Sequence, residues 1–140
     1  MYTKLMPESV IHNGSFTKVV YTVYINDIPP VVSKSFLDRY IENLGDTLVY
    51  RNLYDKINVR FKVVGTSRCS SDDEYDRLIG LDLAEYRAAV SAYTKVYKIL
   101  NAIDMESVRL KIGIHDFQQE ISSKVSDLET KIDDLLDETK

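Results

Sequence analysis

The sequence predicts an α+β protein: an antiparallel sheet of about five strands packed on a long helix, plus a C-terminal coiled-coil-like helix. Three observations carry that expectation. Several short stretches alternate apolar and polar residues, an Asn-Gly pair separates the first two of them, and two later segments place apolar residues at heptad spacing. The boundaries follow as an α+β domain over 1–114 and an amphipathic helix for oligomerisation over 115–140.

The N-terminal run "SVIHNGSFTKVVYTVYI" sets Asn13-Gly14 between apolar segments. Asn-Gly suits a type I′ hairpin turn, whose central residues both need positive φ. Val19, Tyr21, Val23 and Ile25 then alternate with Val20, Thr22 and Tyr24, and "NDIPP" ends the strand because proline donates no ladder hydrogen bond. "VVSKSFLDRYIENLGD" predicts a short helix capped by Ser35, with Leu37, Tyr40, Ile41 and Leu44 at helical spacing and Gly45 as its stop. Strands are expected at 47–51 and 56–66. In the second, Ile57, Val59, Phe61 and Val63 share one face, and Lys56, Asn58, Arg60 and Lys62 the other.

The longest helical pattern follows. Ile79, Leu83, Tyr86, Val90, Tyr93, Tyr97 and Leu100 form a heptad seam, which suits packing along a near-parallel helix. "ESVRLKIGIH" over 106–115 returns to alternation and predicts a fifth strand, with Arg109 facing outward. Phe117, Ile121, Val125, Leu128, Ile132 and Leu135 then make a stripe too narrow for a globular core. An isolated helix of that length is marginal, so a coiled-coil partner is expected, against the alternative of docking on its own sheet.

The chain of 140 residues carries a net charge of −4. The acidity is local, because residues 115–140 hold eight acids against three lysines. A nearly neutral body makes nucleic acid an unlikely partner. No apolar stretch approaches the ~20 residues that span a bilayer, so no membrane partner is expected. A single cysteine and the lack of a signal-like N-terminus fit a reducing cytoplasm.

Catalytic chemistry finds no pattern. His12 and His115 stand outside any metal spacing, and Cys69 has no assigned base. Asp72, Asp73, Glu74 and Asp76 lack the ligand alternation of a calcium loop. They fit the positive end of a helix, with Ser70 or Ser71 as cap. No catalytic residue, metal ligand or cofactor is therefore expected. Arginine forks suit phosphate, which singles out Arg68, Arg77, Arg87 and Arg109.

One block carries a resemblance. Gly65, Cys69, Asp72-Asp73, Tyr75, Asp76, Gly80, Ala84 and Arg87-Ala88 resemble a recurring block of small tailed-phage proteins. Ser70-Ser71 stands where that block often has proline or histidine. In size and layout the chain is most similar to the Thoeris anti-defence one family. That resemblance implies a non-enzymatic homo-oligomer, dimer or higher, in the host bacterial cytoplasm. It would sequester a nucleotide-derived immune signal, such as a cyclic ADP-ribose isomer or a cyclic oligonucleotide. Such a sponge needs a stacking aromatic and phosphate-holding arginines, and the candidates are Arg68, Tyr75, Tyr86, Arg87 and Arg109. The alternatives are a protein-binding inhibitor of a host defence or transcription factor, a hydrolase of the same signal, and a structural phage assembly protein.

Overall fold

The computed structural model describes residues 1–30, 33–42, 44–68 and 74–138, with the side chains of 74–77 and 138 outside that description. The elements run β1 (Tyr2–Asn13), β2 (Phe16–Ile28), α1 (Lys34–Ile41), β3 (Leu48–Arg51), β4 (Ile57–Arg68) and α2 (Glu74–Glu138). The α+β class and the antiparallel sheet agree with the sequence reading, but the sheet has four strands, in the order β1-β2-β4-β3. Residues 106–115 lie within α2, as do both heptad segments. No proline interrupts the chain after Pro30, so nothing stops the helix from propagating. Two compact units result, Met1–Ile103 and Asp104–Lys140.

In the first unit, Gly14 and Ser15 turn β1 into β2, with Gly14 at φ 61°. Asn13 pairs with Phe16 as the last residue of β1 and lacks the positive φ that a type I′ turn centred on Asn13-Gly14 needs. The antiparallel register pairs Lys4 with Tyr24 and Tyr24 with Arg60, and sets Val23 against Phe61 and Ile25 against Val59. Period two then divides the sheet. Val19, Val23, Ile25, Val59, Phe61 and Val63 are buried on one face, and the cationic positions lie on the other. A bulge before Ile28 uses Asp27 in the left-handed region, at φ 58°. Its N–H donates to the buried Asn58 Oδ1 at 3.0 Å, and its carboxylate accepts from Asn52 Nδ2 at 3.1 Å. The bulge re-aims Ile28 into the core, where it is fully buried.

Helix α1 starts one turn-register earlier than expected. Ser33, not Ser35, is the cap: its backbone is extended, and its Oγ accepts from the Phe36 N–H at 3.1 Å. Leu37 and Ile41 enter the core, Tyr40 and Leu44 stay partly exposed, and Gly45 turns the chain at φ 75° after the helix has ended.

The face by which α2 closes the first unit is not the heptad seam. Gly80, Ala84, Ala88, Ala92, Val96 and Ile99 are the buried positions. Small residues are required because helix and sheet approach closely at Gly65. A Cβ there would sit 1.9 Å from the Ala84 carbonyl oxygen and 2.8 Å from the Ala88 Cβ. Ser67, buried beside this crossing, donates from Oγ to the Gly80 carbonyl at 2.5 Å. The seam faces solvent within the chain, with Tyr86 69%, Val90 67% and Tyr97 72% exposed. In the second unit every described residue from Val108 to Asp137 is exposed, the stripe included.

Candidate functional site

Four of the five residues predicted to hold a ligand have described side chains, and they do not converge on one pocket. Arg68 ends β4 with its guanidinium carbon 5.9 Å from the centre of the Phe16 ring, its cross-strand neighbour. That is a cation–π contact on the open face of the sheet. Arg87 reaches from α2 and donates from Nη1 to the Thr66 carbonyl at 2.8 Å. β3 pairs only with Ile57–Arg60, so among the described residues this side of β4 has no ladder partner beyond them, and Arg87 donates to the Thr66 carbonyl. Arg68 and Arg87 are therefore both used near the same end of β4, Arg68 on the Phe16 ring and Arg87 on the Thr66 carbonyl.

Tyr86 lies on the exposed seam. Arg109 is on α2 in the second unit, not on a strand; its side chain is 81% exposed and sits 3.8 Å from Glu106. The Tyr75 side chain lies outside the described residues, as do Cys69, Ser70, Ser71, Asp72 and Asp73, so the capping reading of the acidic knot is not addressed. Among the described residues no group of three His, Cys, Asp or Glu side chains is placed to hold a metal ion, and no helix is long and apolar enough to cross a membrane.

The block that carried the family resemblance acquires a mechanical meaning. Gly65, Gly80, Ala84 and Ala88 form the close helix–sheet crossing, and Arg87 pins the same helix to the strand edge. These residue types are accounted for by packing.

What the fold does assemble is a cationic sheet face that sequence reasoning missed. Lys4, Lys18, Arg60, Lys62 and Arg68 share it with Phe16 and Tyr24. The central row is Lys4–Tyr24–Arg60 across β1, β2 and β4. Strands lie about 4.8 Å apart, which sets the two cations about 10 Å apart with the tyrosine between them. A hollow of about 350 Å³ lies here, lined in part by Tyr24, Arg60, Lys62, Glu8 and Asp46. Glu8 is occupied, accepting from Thr22 Oγ1 at 2.5 Å. The alternation of Arg60 and Lys62 was visible in the sequence. Their juxtaposition with Lys4 and Tyr24 depends on strand order and register.

A second hollow, about 370 Å³, opens between α1 and α2 at Tyr40, Leu44, Ser91, Thr94, Lys95 and Lys98. Lys95 is already committed there. Its Nζ lies 4.4 Å from the Phe61 ring centre and donates to the Leu44 carbonyl and Thr47 Oγ1, each at 3.3 Å. Burial holds its pKa below the usual lysine value. Tyr40 donates its hydroxyl to the Lys98 carbonyl at 3.3 Å. These contacts tie α1 to α2, and the hollow offers less free charge than the sheet face.

The described residues thus present an open cationic sheet face with aromatics and an apolar helix stripe. No protein-family model matches the chain, and neither curated proteins nor solved structures yield a match.

Proposed function

We propose that the chain is a non-enzymatic, self-associating binding protein that captures an anionic, nucleotide-type ligand on the open face of its sheet. The observation that carries this reading is the Lys4–Tyr24–Arg60 row. An aromatic between two cations offers a base a stacking surface and its phosphates a charged partner on either side. Lys62 extends the charge in the next row, and Lys18 lies on the same face three rows along β2. The finer reading is a phage protein that sequesters a nucleotide-derived immune signal in the host cytoplasm. It rests on the block resemblance and on the same cationic face.

The test is a thermal-shift screen of the full chain against cyclic ADP-ribose and cyclic dinucleotides, followed by heat denaturation of any complex. Intact ligand in the supernatant supports sequestration, and altered ligand supports hydrolysis. A second reading, protein capture, is favoured by the exposed seam of Ile79, Leu83, Tyr86, Val90, Tyr93 and Tyr97. Absence of a shift with every nucleotide would turn the account to that reading.

A further inference from the structure

We propose that residues 114–135 pair with the same segment of a second copy of this chain as a parallel, in-register, two-stranded coiled coil. This deepens the self-association reading above and rests on it.

The second unit, described by itself, offers its helix no partner. Ile114, Ile121, Val125, Leu128, Ile132 and Leu135 are 42–61% exposed. A single helix with a bare apolar stripe is marginal in water, and burying the stripe against another helix is what stabilises such segments. The seam positions are regular. Ile114, Gln118, Ile121, Val125, Leu128, Ile132 and Leu135 alternate steps of four and three, all apolar but Gln118, with Phe117 and Leu136 flanking the seam at g and e. Placing Gln118, Val125 and Ile132 at position a puts Ile114, Ile121, Leu128 and Leu135 at d. Every outer position from 119 to 137, namely Gln119, Glu120, Ser123, Ser126, Asp127, Thr130, Asp133, Asp134 and Asp137, is then polar.

The identity of the occupant follows from residue chemistry at these positions. The last two heptads set β-branched Val125 and Ile132 at a with Leu128 and Leu135 at d, the combination that favours two parallel strands. Gln118 is a polar residue at one a position, where its amide meets the same amide of the second copy and penalises slipped registers.

Charge fixes the orientation. Lys124 and Lys131 occupy g, and Glu129 occupies e. A parallel pair sets each g residue against the e residue of the following heptad, so Lys124 of each copy faces Glu129 of the other, twice per dimer. An antiparallel pair brings g against g, which opposes lysine to lysine. A second copy in parallel buries the apolar stripe and pairs Lys124 with Glu129, while Lys131 lies opposite Leu136 of the other copy.

The test uses the full chain in a Cys69→Ser background, with Gln118→Cys and Leu135→Cys made separately. These sites are about 26 Å apart along a helix, from 1.5 Å per residue. The proposal expects an even-numbered assembly by light scattering, with each variant forming a same-site disulfide under mild oxidation. Lys124→Glu should raise the dissociation constant about fivefold, and adding Glu129→Lys should restore it. A monomer overturns self-association itself. A trimer overturns two strands, and disulfides formed only on mixing the two variants overturn the parallel orientation while leaving self-association standing.

Discussion

Gly65→Ala tests the closest contact between α2 and the sheet. The added Cβ would lie 1.9 Å from the Ala84 carbonyl oxygen and 2.5 Å from the Ala88 amide nitrogen, both backbone atoms of α2. Non-bonded heavy atoms rest near 3.5 Å, so helix and strand must part by about 1.5 Å. Neither flank can yield alone, because Ala84, Ala88 and Ala92 are fully buried on one side and Val19 pairs with Gly65 on the other. Retreat by that distance forfeits dispersion along the whole small-residue face. It also stretches the Ser67–Gly80 and Arg87–Thr66 hydrogen bonds. Overpacking typically costs 1–3 kcal/mol, and a backbone obstruction belongs at the upper end, about 3 kcal/mol.

For a unit of this size that lowers the melting temperature by about 15 °C. All ten tyrosines lie between Tyr2 and Tyr97, inside the first unit, so the tyrosine band of near-ultraviolet circular dichroism reports on that unit. Gly113→Ala is the control. A Cβ there meets nothing within 4 Å, and the exposed helical site should gain up to about 1 kcal/mol. A Gly65→Ala melting point within about 3 °C of the parent would refute the close-packing argument.

Other outcomes follow from the same structure. Ser67→Ala should cost about 1 kcal/mol in urea unfolding, since the Gly80 carbonyl loses the hydroxyl that donates to it; an unchanged midpoint would remove that bond as a tie between β4 and α2. Burial, and secondarily the Glu85 carboxylate, raise the Tyr21 pKa. The folded state therefore keeps this proton where the unfolded chain loses it. The stability from Tyr21 is full below about pH 10 and is lost as pH rises through the raised folded value. Tyr21→Phe should flatten the fall of the urea midpoint between about pH 9 and pH 11, and an unaltered slope would assign that fall elsewhere. Residues 115–140 carry eight acids and three lysines, so pairing two such segments is opposed by like charge. Raising sodium chloride from about 0.05 to 0.5 M should strengthen self-association measured by sedimentation, and weakening with salt would contradict the charge argument.

The hairpin and β4 were legible because their signals are local. Asn13-Gly14 marks where the chain reverses, although the two loop residues are Gly14 and Ser15, and the alternation from Ile57 to Val63 tells which side is wet. The fifth strand was misread at 106–115, where Val108, Leu110, Ile112 and Ile114 alternate and three of the four are β-branched. No glycine or proline separates that stretch from the preceding helix, so helix propagation prevails. The buried side of α2 was missed for a different reason. Large apolar residues attract attention, yet a helix crossing at Gly65 accepts only Gly80, Ala84 and Ala88, so the conspicuous seam is left outside. Arg87 stood out as an arginine within a helix. Its acceptor, the Thr66 carbonyl, is fixed by tertiary structure and leaves no mark in the sequence. The cationic face was half legible: Arg60 and Lys62 share a side by periodicity, but their alignment with Tyr24 and Lys4 needs the order β1-β2-β4.

The most direct measurement is calorimetric titration of cyclic ADP-ribose and a cyclic dinucleotide into the full chain and into Arg60→Glu. Arg60 is exposed at the edge of the hollow, so the substitution leaves the core intact. The account predicts saturable binding of at least one of these probes to the parent, weakened at least tenfold in Arg60→Glu, with near-ultraviolet dichroism unchanged. Binding of equal affinity in both proteins, or no heat from either probe, would contradict the sheet face as the site of capture.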